Sequence, residues 1–158
     1  MKTLFLIRHA KSDWGMLDDF DRTLTQRGKD DALLVAKKIA DDLPHDLTIW
    51  TSSARRATLT AEIMTGHWKR TINEHRLDLY TFDWNRLVEV IKSANDSIEN
   101  LCVFGHNEGI TEFVNNFGDI YIDNVPTAGL VSITFDAARW QDITLGRIIR
   151  TLFPKTLR

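Results

Sequence analysis

Three polar clusters carry the residue types that can do chemistry. Arg8-His9 comes first, Ser52-Ser53-Ala54-Arg55-Arg56-Ala57 second, and Gly105-His106-Asn107 third. A neutral imidazole is a good nucleophile towards phosphorus, and histidine is largely neutral at pH 7 because its unperturbed pKa is about 6.5. Guanidinium groups grip phosphate oxygens in pairs and keep their charge. In a crevice they offset charge on the equatorial oxygens of a transferring phosphoryl group. A second histidine supplies one more hydrogen bond, and helix N-termini after the second and third clusters add backbone donors. This chemistry needs no metal. Taken singly, each cluster has an ordinary structural use as a surface pair, a helix cap or a turn. Their common placement at strand ends is what joins them.

The elements that must position them follow from periodicity. Thr3–Ile7 is a short apolar run of strand formers, Leu47–Trp50 and Leu101–Phe104 are two more, and each cluster directly follows one of these. Asp13–Arg22 has no period and reads as a loop. Thr25 caps a predicted helix with Ala32, Leu33, Ala36, Ile39, Ala40 and Leu43 on one face, closed by Pro44. Ser52 or Ser53 caps the next, which carries Ala57, Ala61 and Met64. Thr71–Asn73 reads as a short strand. Asp83 caps a helix with Leu87, Val88, Ile91 and Ala94 inward. Ile110, Phe113, Val114 and Phe117 mark another helix, Leu130–Phe135 alternates as a strand does, and Gly146–Phe153 is a last strand. Alternating strands and helices with apolar central strands imply an α/β fold: a three-layer α/β/α sandwich around a mostly parallel sheet. Carboxyl ends of parallel strands line one crevice, so the clusters are expected to converge there.

Composition sets the outer limits. The chain has 158 residues, 43% hydrophobic and 27% charged, with a formal charge of −2. A chain of this size buries roughly 70% of its extended surface, enough for one real core. A long repeat array, a large capped enzyme and a disordered chain are excluded. Near-neutral charge argues against nucleic acid as a partner. The single cysteine, Cys102, excludes an internal disulfide and reads as a buried strand residue in a reducing compartment. Arg8 ends the opening apolar run too early for a signal peptide, and no run approaches a membrane span. The expectation is a cytoplasmic protein with no membrane partner.

Rival phosphate chemistries fare poorly. Asp19-Phe20-Asp21-Arg22-Thr23 has the Asp-x-Asp-x-Thr spacing of magnesium-dependent aspartate-nucleophile enzymes, but no hydrophobic strand precedes it. Cys-x5-Arg fails because Glu108 stands six residues after Cys102. There is no P-loop and no metal-ligand spacing, so neither a metal nor another cofactor is expected. His45, His67 and His75 lie in polar, loop-like settings and read as structural.

The motifs together resemble one family. Leu6-Ile7-Arg8-His9-Ala10 is similar to the Arg-His-Gly signature of the histidine phosphatase (phosphoglycerate mutase-like) superfamily, with alanine for glycine. Arg56-Ala57-Thr58-Leu59-Thr60-Ala61 is similar to its Arg-Ala-x-x-Thr-Ala, and Gly105-His106 to its late Gly-His. Arg-His-Ala-Lys-Ser-Asp-Trp, with Asp21–Gly28 and Asn124–Gly129, most resembles the SixA-type phosphohistidine phosphatases. The resemblance runs from residue 3 to about residue 154. It implies one histidine phosphatase domain over residues 1–158, without a cap insertion.

The resemblance also implies roles. His9 is the nucleophile that carries a phosphohistidine intermediate, and Arg8, Arg56 and His106 form the phosphate pocket. Arg56 is preferred to Arg55 because it alone fits the motif spacing. Gly15 follows Trp14 where many relatives have an asparagine ligand, so Ser12 is the expected substitute. Relatives with insertions carry an acid donor there; Glu74, Asp78 and Asp83 are the candidates in this region. A phosphoramidate nitrogen can be protonated before P–N cleavage, so a missing donor favours a phosphohistidine-bearing protein as substrate. A small phosphomonoester or sugar phosphate is the alternative, and a non-catalytic phosphate-binding module is the third reading. The basic residues Arg139, Arg147, Arg150, Lys155 and Arg158 read as a solvated face. Trp14 and Trp84 either wall the crevice or pack ordinarily.

Overall fold

The computed structural model describes residues 1–15 and 18–158. Six strands form one sheet: β1 (Lys2–Arg8), β2 (Thr48–Ser52), β3 (Glu74–Arg76), β4 (Asn100–Gly105), β5 (Leu130–Phe135) and β6 (Arg147–Leu152), in the order β3-β2-β4-β1-β5-β6. The β1–β4, β4–β2 and β2–β3 pairs are parallel, whereas β5 runs antiparallel to both β1 and β6. The helices are α1 (Gln26–Ile39), α2 (Arg55–Trp68), α3 (Trp84–Lys92), α4 (Gly109–Phe117) and the short α5 (Pro154–Leu157).

Strand pleating divides the core in two. Leu4, Leu6, Leu101 and Val103 face the side covered by α3 and α4, and Phe5, Ile7, Cys102 and Phe104 face the side covered by α1 and α2. Each fully buried Leu, Ile or Phe contributes about 1.5–3 kcal/mol of transfer free energy. Both faces of β1 and β4 are therefore apolar, as in sheets covered by helices on both sides. Among the described residues, no helix is long and apolar enough to cross a membrane.

Several elements differ from the sequence expectation. The buried stripe of α1 is Gly28, Asp31, Ala32, Val35, Ala36 and Ile39, and Leu33 is 37% exposed. Asp31 can be inside because Arg158 neutralises it at 2.9–3.1 Å. The strand expected at Thr71–Asn73 begins at Glu74 instead. Asn73 makes both of its bonds to Ile49, one of them through its side-chain oxygen, and the ladder starts only beyond it. Neither Ser52 nor Ser53 caps α2; its N-cap is Ala54, and Ser52 is still strand. The expected Asp13–Arg22 loop contains a 3-10 turn at Asp19–Asp21, while its Met16 and Leu17 lie outside the described residues. Thr25 and Asp83 cap α1 and α3 as expected. On the basic face, Arg139, Arg150 and Arg158 each pair with an acid: Asp96, Asp42 and Asp31.

Candidate active site

Strand register brings the three clusters together. Arg8 pairs with Gly105, and Thr51 pairs with Phe104, so Arg8, Gly105 and Ser52 stand side by side at the carboxyl ends of β1, β4 and β2. His9 and His106 follow directly, with ring centroids 5.3 Å apart. On the far side of β1, the Arg8 N–H donates to Gly129 and the Ala128 N–H is shared between the Arg8 and His9 carbonyls. Ala128 takes the left-handed φ of 61° to do so. Such a conformation costs an ordinary residue about 1 kcal/mol or more and persists only where the surroundings impose it.

A cavity of about 600 Å³ opens here, lined by Arg8, His9, Ser12, Asp19 and Arg56, with Trp14 and Phe82 among the rim residues. Its floor is fixed by a few bonds. His9 Nδ1 lies 2.7 Å from the Ala10 carbonyl. A carbonyl can only accept, so Nδ1 carries the proton and Nε2 presents a lone pair. Arg56 Nε donates to that Nε2 at 3.3 Å. Thr60, one helical turn beyond Arg56, accepts the Ala10 N–H at 2.9 Å and donates to the Arg56 carbonyl at 2.7 Å. The four-residue Arg-to-Thr spacing thus locks α2 onto the His9 segment. Gly28 does the same for α1: a Cβ there would lie 2.2 Å from the Lys11 carbonyl oxygen.

Electrostatics keep both histidines neutral. His9 is lowered to about 3, first by burial and then by the charges of Arg56, Arg8 and Arg22, against the pull of the Ala10 carbonyl. Burial also lowers His106, with His9, Arg56 and Arg8 adding to the effect and Asp19 opposing it. Ser52 Oγ accepts the Ala54 N–H and lies 2.8 Å from His106 Nε2, and the tautomer of His106 decides which of the two atoms supplies the hydrogen of that bond. With the Ser52 hydroxyl as donor, the proton of neutral His106 is on Nδ1. His106 Nδ1 and Arg8 Nε are buried nitrogens with no hydrogen-bond partner among the described residues. A buried donor left unpaired costs about 1–3 kcal/mol, which an incoming anion would recover.

The remaining expected residues sort clearly. Arg56 is buried and Arg55 is exposed. Ser12 lines the cavity, with its hydroxyl bonded to Arg22. Glu74 and Asp78 do not line it; both pair with Arg76, at 3.0 and 2.8 Å. Asp83 is occupied as the α3 cap. Glu74 and Asp78 are thus held away from the cavity by the arginine between them, whereas Tyr80 and Phe82 of the same stretch reach it. Among the described lining residues the carboxylate is that of Asp19, the first residue of the Asp-x-Asp-x-Thr spacing. Asp19 receives Arg56 at 3.1 Å and Arg22 at 3.0 Å, and the Tyr80 hydroxyl donates to it. Only the Asp-to-Arg spacing of three, compatible with a local ion pair, hinted at this in the sequence. Trp14 is 79% exposed and stacks on the Arg22 guanidinium; Trp84 does not reach the cavity. Cys102 is fully buried, and burial pushes its thiol up, in keeping with an inert core residue. Among the described residues, no group of three metal-ligating side chains occurs.

The family model described as histidine phosphatase superfamily (branch 1) matches residues 4–86. A curated relative, Phosphoserine phosphatase 1 of Hydrogenobacter thermophilus, is 30% identical over 111 residues, 56% of this chain and 52% of the relative. The chain therefore spans about half the length of the curated relative it matches. Among solved structures, the protein histidine phosphatase SixA complexed with tungstate superposes with a TM-score of 0.84 at 19% identity, covering 99% of both chains. A mycobacterial glucosyl-3-phosphoglycerate phosphatase complexed with VO3 gives 0.69 at 14% identity, over 95% of this chain and 98% of that one. At these identities the structural matches establish the fold.

Proposed function

The chain belongs to the histidine phosphatase superfamily, and from that membership we propose that it is a phosphatase acting on phosphohistidine in proteins. His9 Nε2 attacks phosphorus, and the resulting phosphohistidine is hydrolysed by water. Arg8, Arg56 and the Nδ1–H of His106 hold the phosphoryl oxygens and offset their charge in the transition state. Ser12 adds a hydroxyl at the edge of the pocket. No metal takes part. The observation that carries this reading is the pair of buried nitrogens, Arg8 Nε and His106 Nδ1, without a partner among the described residues and close to an imidazole kept neutral.

The choice of phosphohistidine rests on the acid inventory. Among the described lining residues, Asp19 alone carries a carboxylate. Burial works to raise it, but the Tyr80 hydroxyl and the Arg56 charge overcome this and hold it below the usual carboxylate range. An ionised acid cannot protonate an alkoxide, whereas a phosphoramidate nitrogen can be protonated beforehand. Residues 1–158 form one domain without a cap, which leaves the cavity open to a protein surface in the cytoplasm. The second reading is a small phosphomonoester by the same mechanism, favoured by the curated relative named for phosphoserine. Phosphate release in EDTA from a phosphohistidine-bearing protein, beside a panel of phosphomonoesters, tests the reading. At least tenfold higher kcat/KM on phosphohistidine is expected. Faster turnover of esters, or loss of activity with EDTA, contradicts it.

A further inference from the structure

Asp19 is half-exposed, with a side-chain exposure of 43%, and its carboxylate takes three donors: Arg56, Arg22 and Tyr80. An ionised carboxylate has about four acceptor positions. One remains, on a side chain that lines the same cavity as His9. Beside it stand aromatic rings. Tyr80 lies 5.2 Å from Phe20, 5.8 Å from Phe82 and 5.4 Å from His106 between ring centroids, and Phe82 lies 5.6 Å from His106. These rings meet edge to face, at 67–74° to one another, and an aromatic cluster next to a fixed negative acceptor suits a planar ring that carries an N–H and positive charge.

Resting on the phosphohistidine reading, we propose that Asp19 is the leaving-group acceptor, taking a hydrogen bond from the distal ring N–H of the substrate's phosphorylated imidazole beside the Tyr80–Phe82 cluster. The His9 Nε2 lone pair forms the new P–N bond. The substrate's P–N bond breaks, and its electron pair returns to the substrate ring nitrogen. The ring leaves as neutral imidazole with its distal proton in place, so no proton donor is needed. The Ala10 carbonyl does the same for His9 in the second half: it holds the Nδ1–H of the phosphorylated ring. Water then bonds to phosphorus, the electron pair returns to Nε2, and the proton lost by water goes to phosphate or solvent.

The test compares two probes, phosphoimidazole and N-methyl-N′-phosphoimidazolium, which has a methyl group where the first can carry its distal proton. The kcat/KM loss caused by Asp19→Asn is expected to be at least tenfold larger on phosphoimidazole. Equal losses overturn the proposal, because a carboxylate that only braces Arg56 and Tyr80 lowers both rates alike. A second measurement uses the wild-type chain and does not depend on how the variant folds. Normalised to the uncatalysed rates, phosphoimidazole is preferred at least tenfold, and no preference overturns the proposal. Hydrolysis of phosphate esters with neither probe turned over would overturn the phosphohistidine reading itself, and this proposal with it.

Discussion

Arg56 Nε donates to His9 Nε2 across 3.3 Å. The guanidinium on α2 therefore touches the lone pair at the end of β1, and a phosphoryl group on that nitrogen arrives within its reach. The remaining Arg56 nitrogens are tied to the Asp19 carbonyl at 2.6 Å and to its carboxylate at 3.1 Å. Arg56→Lys keeps a charge but loses this planar fork. Loss of a single transition-state donor lowers kcat by about 10²–10³. A drop of that size in kcat/KM on phosphoimidazole is expected, and a less than fivefold change would contradict the placement of Arg56 in the pocket.

Thr60→Val preserves shape and removes the hydroxyl. The buried Ala10 N–H then has no partner, at a cost of about 1–3 kcal/mol. The urea midpoint should fall accordingly. Because Ala10 also holds the His9 ring, kcat should drop with it; an unchanged kcat would mean that the Thr60 bond does not set the His9 position.

The histidines give a pH signature. His9 titrates at about 3 in the folded chain, against about 6.5 when unfolded. Below pH 6.5 the unfolded chain takes up a proton that the folded chain refuses, so stability falls as pH drops from 6.5 towards 3; above 6.5 this contribution is constant. His106 acts in the same sense. In NMR titrations the ring carbons of His9 and His106 should stay fixed between pH 5 and 8. A midpoint near 6.5 for His9 would contradict the burial argument.

Two glycines should respond in opposite ways to alanine. At Gly28 the new Cβ meets the Lys11 backbone, which cannot rotate away. Overpacking of this kind costs about 1–3 kcal/mol. At Gly66, on the exposed side of α2, nothing lies within 4 Å. Alanine there should stabilise by about 0.5–1 kcal/mol through helix propensity. Thermal unfolding of the two variants checks both signs.

The sequence carried much of this architecture because the central strands are continuously apolar and each ends in a polar cluster. Reading Arg8-His9, Ser52 and Gly105-His106 as strand ends was enough to bring them together, and the register confirms their adjacency. Asp19 was not legible: its partners Arg56 and Tyr80 are 37 and 61 residues away, and no periodic pattern marks a turn. Glu74 and Asp78 lie off the cavity, and the local pattern Glu74-x-Arg76-x-Asp78 already offers them a partner. β3 was shifted because the Asn73 side chain substitutes for backbone in bonding Ile49. On α1, Leu33 has a core residue's type but is exposed, while the stripe runs through Asp31 and Val35 because Arg158 from the far end of the chain neutralises Asp31.

The central claim is that the phosphoryl group passes through His9. Its most direct measurement is an alkaline quench during turnover of phosphoimidazole, followed by mass-spectrometric location of the phosphate. One acid-labile phosphoryl group on His9 in the wild-type chain, absent from His9→Ala together with turnover, is the predicted result. A phosphoryl group on another residue, or turnover by His9→Ala at near wild-type rate, would contradict the account.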